Sequence, residues 1–370
     1  MRFSVLQVGK YYHPYRGGME TYLLDLCQGL KDRTDLRVLV SNTSRRTVRE
    51  EVDGVDVVRA GSLGTIFSTP ISPAFPRRLK ELAGEIVTVH HPNPLATLAY
   101  LKARPRGKLT VVYQSDIVKQ KITGTIYRPL LLKFLKQAEK IVVASPRYLL
   151  GSPVLRRFRE KCVLIPIGID LALFRETEEI DRGAVRIRER IGNRIVLFIG
   201  RLTQYKGAEY LVKAMEGVDG HLVMIGSGKG FDALKMMVVS HGLEERISLL
   251  SDVSPLDLRA HLRACSVFCL PSISRNEAFG IVQLEAMASS RPVVSTRLDT
   301  GVTYANLDGV TGLVVPPRDS PALAGALNRI LDNPALGEEL GRRGRQRVEE
   351  EFTKEKMAEK TFQMYRELVE

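Results

Sequence analysis

Short apolar runs alternate along this chain with longer segments whose apolar positions recur at three- and four-residue intervals. In the first half the runs are residues 5–8, 37–40, 86–89, 109–112, 141–143 and 163–165. In the second half they are 195–199, 222–225, 247–250, 267–270, 292–295 and 312–314. Runs this short predict strands, and the helix-period segments between them predict βαβ units. Repeated through the chain, the pattern predicts an α/β protein with parallel, doubly wound sheets. Six runs in each half suffice for one Rossmann-like domain apiece.

The pattern breaks once. Pro166 and Gly168 close the first half, a charged and weakly apolar stretch follows at 175–192, and a new strand begins near Arg194. The predicted domains are therefore 1–168 and 169–352. Residues 353–370 read as an amphipathic helix with Met357, Phe362, Tyr365 and Leu368 on its apolar stripe. A length of 370 residues suits two domains of ordinary size. No apolar run approaches the roughly 18 residues of a membrane span. The first nine residues are too short and too strand-like for a signal peptide, so a cytoplasmic location is expected.

Charge changes the picture of the first half. The chain carries 55 Lys and Arg against 42 Asp and Glu. Residues 1–168 hold 28 of the former and 13 of the latter, a net of +15, which leaves −2 for the remainder. An anionic partner is expected to approach the first half: a membrane surface, a lipid diphosphate or a nucleic acid. Within 119–136, Lys119, Lys121, Arg128, Lys133 and Lys136 interleave with Ile122, Tyr127, Leu130, Leu131, Leu132, Phe134 and Leu135. That spacing suits a helix lying on an anionic membrane, and equally a core helix with a basic outer face. Residues 65–76, rich in Pro and apolar side chains, read as a loop shaping a binding site. No nucleic-acid recognition motif accompanies the basic charge, which argues against a nucleic-acid module. Cys265 and Cys269 lie in an apolar strand context with no His partner, and read as buried small hydrophobes rather than zinc ligands.

Candidate chemistry clusters where strands end. Glu277 and Glu285 stand eight residues apart, with Phe279, Gly280 and Ile281 between them, behind the strand at 267–270. Carboxylates at such a strand end accept hydrogen bonds from sugar or ribose hydroxyls, and amides at the helix start donate to oxygens. Arg201 and Lys206 follow the strand at 195–199, where a guanidinium and an ammonium aimed at a diphosphate would stabilise its developing charge. Gly226 opens a glycine-rich loop after 222–225, but position 223 is Val and position 230 is Gly, so it is not a P-loop. Gly17 and Gly18 follow the first strand and open a helix, either to admit a ligand or as a plain turn needing positive φ. Tyr15, beside them, is a candidate contact for the acceptor or the sugar. His90 and His91 end the strand at 86–89. As neighbours on a strand they point to opposite faces and cannot form a metal pair. Asp116 follows the strand at 109–112, either as an acceptor or sugar contact or as a solvated loop carboxylate. The chain contains no Asp-x-Asp pair of the kind that holds a divalent cation on a diphosphate.

Taken in order, the paired glycines, Gly200-Arg201-Leu202 with Lys206-Gly207, and Glu277-x7-Glu285 enclosing Phe279-Gly280 resemble the retaining glycosyltransferases of family four, the group 1 glycosyltransferases. Among these the chain looks most like GDP-mannose-dependent mannosyltransferases. The resemblance implies a GT-B fold of two Rossmann-like domains facing a cleft, with the last helix crossing back to the first domain. It implies hexose transfer with retention and without metal or cofactor, from a nucleotide diphosphate sugar to a hydroxyl of a glycan or polyprenyl-diphosphate-linked acceptor. GDP-mannose is the favoured donor and a UDP-sugar the alternative. On this pattern Arg201 and Lys206 hold the departing diphosphate, Glu277 the sugar hydroxyls and Glu285 the ribose. Gly17, Gly18, Gly226 and Val253 approach the donor, and His90 positions the sugar, with His91 as second choice. The sequence departs from the pattern at Ser251, where the family has Gly beside the base, and at Gln114, where relatives often carry His. A sugar-nucleotide epimerase or a phosphorylase on the same fold is the other enzymatic reading.

Overall fold

The structure, a computed structural model, describes residues 2–15, 17–66, 69–116 and 121–370, without the side chains of 121–126. The chain forms two compact units, Met1–Gly168 with Lys354–Glu370, and Ile169–Thr353.

Unit 1 runs through β1 (Ser4–Val8), α1 (Gly18–Leu30), β2 (Asp35–Ser41), β3 (Val48–Val52), β4 (Val55–Ala60), the short pair β5 (Thr65–Ile66) and β6 (Thr69–Pro70), and α2 (Phe75–Leu82). It continues with β7 (Ile86–His91), α3 (Pro94–Ala103), β8 (Lys108–Tyr113), α4 (Lys121–Gln137), β9 (Lys140–Val143), α5 (Pro146–Gly151) and β10 (Cys162–Leu164). The main sheet has the order β10-β9-β8-β7-β1-β2-β4-β3. It is parallel except for β3, which pairs antiparallel with β4.

Unit 2 contains α6 (Glu178–Ile191), β11 (Ile195–Ile199), α7 (Ala208–Ala214), β12 (His221–Ile225), α8 (Phe231–Ser240), β13 (Ile247–Leu250), α9 (Pro255–Ala264) and β14 (Val267–Leu270). Then come α10 (Ile281–Ala288), β15 (Val293–Thr296), α11 (Val302–Ala305), β16 (Gly312–Val315), α12 (Ser320–Leu331) and α13 (Pro334–Glu351). Its sheet, β13-β12-β11-β14-β15-β16, is wholly parallel. All twelve runs read as strands from the sequence are strands. The sheet of unit 1 is larger than expected, because β3 and β4 were not among those runs.

The helices start by local rules. Asn93, Ser145, Ser254 and Asn333 each accept the N–H three residues ahead, and each precedes a Pro. The side chain satisfies one orphan donor while Pro has none to satisfy. Apolar faces then close the cores. In unit 2, Val196, Phe198, Leu211, Leu222, Val267, Val294 and Leu327 are all fully buried.

Two consequences of parallel pairing position the sites. Every β11–β16 strand ends on one edge of its sheet. Winding also reverses between β11 and β14 in unit 2 and between β1 and β7 in unit 1. Crevices open at such reversals, outside the carboxyl ends of the strands.

The last helix, α14 (Lys354–Val369), completes unit 1. Gly29 of α1 lies so close to it that an added Cβ would stand 2.3 Å from Ala358 Cβ. The Tyr365 hydroxyl accepts from Gln7 Nε2 at 2.9 Å and lies 2.6 Å from Thr88 Oγ1, which in turn reaches Thr110 at 2.7 Å. All four residues are buried. Tyr365→Phe would strand the Gln7 donor, and a buried unsatisfied group costs about 1–3 kcal/mol. The urea-unfolding midpoint should fall accordingly, and an unchanged midpoint would refute the network's role.

Candidate active site

At the reversal point of unit 2, the loop after β11 and the loop after β14 are locked together. Ile273 N–H donates to Tyr205 O at 2.8 Å. Gly207 has φ +66°, and a Cβ there would stand 2.1 Å from Pro271 O, so only glycine fits. This contact brings together the two residues that the sequence had placed on separate strands. Lys206 Nζ lies 2.5 Å from Glu277 Oε2, with side chains only 10% and 8% exposed. Ser272 Oγ, fully buried, donates to the same carboxylate oxygen at 2.8 Å. Glu277 Oε1 has no protein partner among the described residues. Arg201 is exposed on the same loop; its carbonyl accepts from Thr203 N–H, and its guanidinium makes no hydrogen bond or ion pair to a described residue.

The neighbouring loops arrive at the same edge. Leu202 N–H donates to Ser227 O, and Gly230 N–H to Leu202 O, stitching the loop after β12 to that after β11. Gly226 packs so tightly that a Cβ would meet Gly200 O at 2.0 Å. Its requirement for glycine therefore comes from backbone packing inside the unit. Val253 is half-buried in the loop after β13, next to Asp252 at φ +54°. Gly280 caps α10 in the left-handed region, at φ +74°, which turns the chain so that α10 begins at Ile281. Phe279 is buried, its ring edge-on to Phe352 at 5.9 Å. Its side chain anchors the loop in the core, which leaves only its backbone for a ligand. Glu285 is half-buried on the second turn of α10. Among the described residues, no three His, Cys, Asp or Glu side chains gather as a metal site would require.

In unit 1 the structure treats the expected residues less evenly. Gly17 precedes α1 with φ 176°, an extended conformation open to any residue, so the turn does not need a positive φ. A Cβ there would stand 2.3 Å from the Glu20 carboxylate, the movable end of a side chain, so space alone does not demand glycine. Gly18 is exposed at the first position of α1, and Tyr15 is half-exposed and stacked on Tyr11. His90 is 3% exposed, edge-on to Tyr22, with Nε2 2.9 Å from Gln7 Oε1. Gln7 spends its amide N–H on Tyr365, so its oxygen faces His90 and the imidazole carries its proton on Nε2. His90 is thus a buried histidine whose Nδ1 has no partner among the described residues. His91, on the opposite face, is fully buried against Tyr113. Neither of its nitrogens has a partner among the described residues, nor do Asn93 Nδ2 and Gln114 Oε1 near the paired ends of β7 and β8. Asp116 is not a loosely solvated carboxylate. Oδ1 accepts from Tyr113 Oη and Ser152 Oγ at 2.8 Å each, and its N–H donates to Tyr148 Oη.

In α4, Leu131, Phe134 and Leu135 face the core, with Phe134 edge-on to Tyr100. The core-helix reading therefore holds from 127 to 137. Lys119 and the side chains of Lys121 and Ile122 lie outside the described residues, as do Phe67 and Ser68 within 65–76. Sequence reasoning missed Ser272. The available signal was a hydroxyl five residues before Glu277, at the end of an apolar strand.

With this geometry in view, comparison with known proteins defines the class. The glycosyl transferases group 1 family matches residues 181–347, and the glycosyltransferase family 4 model matches 16–173. The chain belongs to the group 1 glycosyltransferases, and its fold is GT-B. It is 32% identical to the O-antigen chain mannosyltransferase C of Escherichia coli over 99% of both chains. It is 33% identical to the D-rhamnosyltransferase WbpZ of Pseudomonas aeruginosa over 91% of this chain and 88% of that one. Among solved structures, sucrose-phosphate synthase from Thermosynechococcus elongatus superposes with a TM-score of 0.84 at 24% identity, covering 99% of each chain. Anabaena HepE in complex with UDP-glucose does so at 0.80 and 17% identity, covering 99% of this chain and 100% of that one.

Burial holds His90 and His91 down to a pKa of about 3. In the unfolded chain both titrate near 6.5. The unfolded state therefore binds more protons as pH falls from about 6.5 towards 3, and stability is lost in that window. The unfolding free energy should decline with falling pH, less steeply in His90→Gln. An identical pH profile in that variant would show that His90 is not held neutral.

Proposed function

We propose that this glycosyltransferase moves a hexose, mannose in preference, from a nucleotide diphosphate sugar to a hydroxyl of a glycan or lipid-linked glycan, with retention and without a metal. The observation that carries the reading is the buried Lys206–Glu277 pair at the reversal point of unit 2. Lys206 and the unpartnered Arg201 supply positive charge for a departing diphosphate, which makes a bound cation unnecessary. Glu277 offers Oε1 to sugar hydroxyls while Lys206 and Ser272 hold Oε2. Glu285 and the Gly280 and Ile281 amides stand at the opening of α10 for the nucleotide. Similarity to a mannosyltransferase over the whole chain favours mannose, and GDP-mannose is the donor to try first. The rhamnosyltransferase relative makes a deoxyhexose the next choice, and a UDP-sugar stays on the panel.

For the acceptor, the unpartnered buried atoms of His91, Asn93 and Gln114 support a hydroxyl-rich ligand at the ends of β7 and β8. Asp116 serves there as a fixed anchor. The basic charge of residues 1–168, with Leu63 and Ile66 exposed by 59% and 56%, favours an anionic membrane surface near the acceptor. No helix among the described residues is long and apolar enough to cross a membrane.

A transfer assay with GDP-mannose and UDP-sugars, with and without EDTA, tests the central reading. Transfer should survive EDTA and give a product whose anomeric configuration, read by NMR, matches the donor. Loss of activity in EDTA or an inverted product would overturn those parts of the proposal. Lys206→Ala should lower turnover about 10²–10³-fold, the scale of one transition-state donor. Turnover within a few-fold of wild type, in protein shown to be folded, would remove Lys206 from the chemistry. Separately, flotation with anionic vesicles at low salt should carry the protein upward. Failure to do so removes the membrane from the proposal.

A further inference from the structure

A second group of cations lies in unit 2, away from the loops after β11 and β14. Arg175, Arg259, Arg263 and Arg345 line one pocket, and Glu176 is the only carboxylate among its lining residues. They come from the segment before α6, from α9 and from α13. Two are already matched. Arg263 pairs with Glu176 at 2.8 Å and Asp181 at 2.9 Å, and Arg345 pairs with Glu349 at 2.9 Å. The guanidiniums of Arg175 and Arg259 make no hydrogen bond or ion pair with any described residue, and Arg259 Nε is sealed from solvent without a partner among them.

Arg291 extends the same cluster inward. Its Nε is also buried and unpartnered. Burial, and then the nearby Arg188 and Arg263, lower its pKa, while Cys265 and Glu176 act in the other direction. Buried guanidiniums are ordinarily paired, because an uncompensated buried charge is strongly unfavourable. Capping of helix ends explains only some of these groups. Arg345 reaches Ala288 O at the end of α10, and Arg188 takes the carbonyls of Arg263 and Ala264. Arg259 caps nothing.

We propose that this pocket binds a small phosphate-bearing anion between Arg175, Arg259 and Arg263. Guanidinium forks match tetrahedral oxyanions in bidentate fashion, and with Arg263 matched by Glu176 and Asp181 the unmatched Arg175 and Arg259 favour an anion. The site is separate from the proposed donor position. α10 starts at Ile281 beside the donor loops and ends against Ser289 in the pocket wall, about 12 Å away at 1.5 Å per residue. An anion here would act on the far end of the helix that carries Glu285.

Thermal shift with inorganic phosphate, at ionic strength held constant with sodium chloride, tests the site. Wild type and Arg201→Ala should gain the same rise in Tm, whereas Arg259→Gln and Arg175→Gln should lose most of it. Without phosphate, Arg259→Gln should be at least as stable as wild type, because it removes an unmatched charge. No rise in wild type, or an equal rise in both pocket variants, would overturn the proposal. A rise abolished by Arg201→Ala but kept by the pocket variants would place phosphate at the donor loops and overturn it equally. Since Arg175 is exposed, its variant keeps the test valid if Arg259→Gln folds poorly.

Discussion

The carboxyl edge of unit 2 is organised around one buried ion pair. Taking a carboxylate and an ammonium out of water costs several kcal/mol per ion, so neither Lys206 nor Glu277 is stable there alone. At 2.5 Å, with Ser272 on the same oxygen, each compensates the other. The pair in turn dictates its surroundings. Gly207 must lack a side chain for the two loops to meet, and Ser272 must be held, which Thr296 does by donating to its carbonyl. The result is a rigid, locally neutral pair flanked by a free guanidinium. A ligand that draws on Lys206 must share it with Glu277, so phosphate binding and sugar-hydroxyl binding act on one charge system.

Much of this was legible in the sequence. The strands of unit 2 are short Val, Ile and Leu runs with buried flanks, which is why their pattern survives reading without context. β3 escaped because its sequence, Val-Arg-Glu-Glu-Val, lies exposed at the sheet edge and carries no burial signal. β4 alternates, but only its pairing with β2 reveals it. The site residues Arg201, Lys206 and Glu277 could be named from their positions after strands. Their mutual contact could not, because it depends on strand order rather than on chain order: β14 lies beside β11 although two strands intervene in the sequence. Likewise, nothing local in a His-His-Pro stretch tells which imidazole will meet Gln7, a residue 83 positions away.

The two units solve the burial of polar groups differently. Unit 2 pairs opposite charges at its crevice. Unit 1 keeps its sheet centre neutral, through amide, hydroxyl and uncharged imidazole groups that pass hydrogen bonds from His90 through Gln7 and Tyr365 to Thr88 and Thr110. Such a network tolerates burial without ionisation but depends on every member being present. α4 turns Leu131, Phe134 and Leu135 inward despite its basic sequence, with Phe134 against Tyr100 of α3.

That Tyr365 belongs to this network bears on the order in which the protein is made. The strands of unit 1 leave the ribosome first, yet one of their buried hydrogen-bond partners is encoded after all of unit 2. Domains ordinarily fold in the order of synthesis. Here the later unit can finish while the earlier one still waits, with the Gln7 amide donor unsatisfied and the surface beneath α14 uncovered. The nascent chain thus carries an incomplete first unit while all of unit 2 is made, a period in which a chaperone has a defined surface to protect.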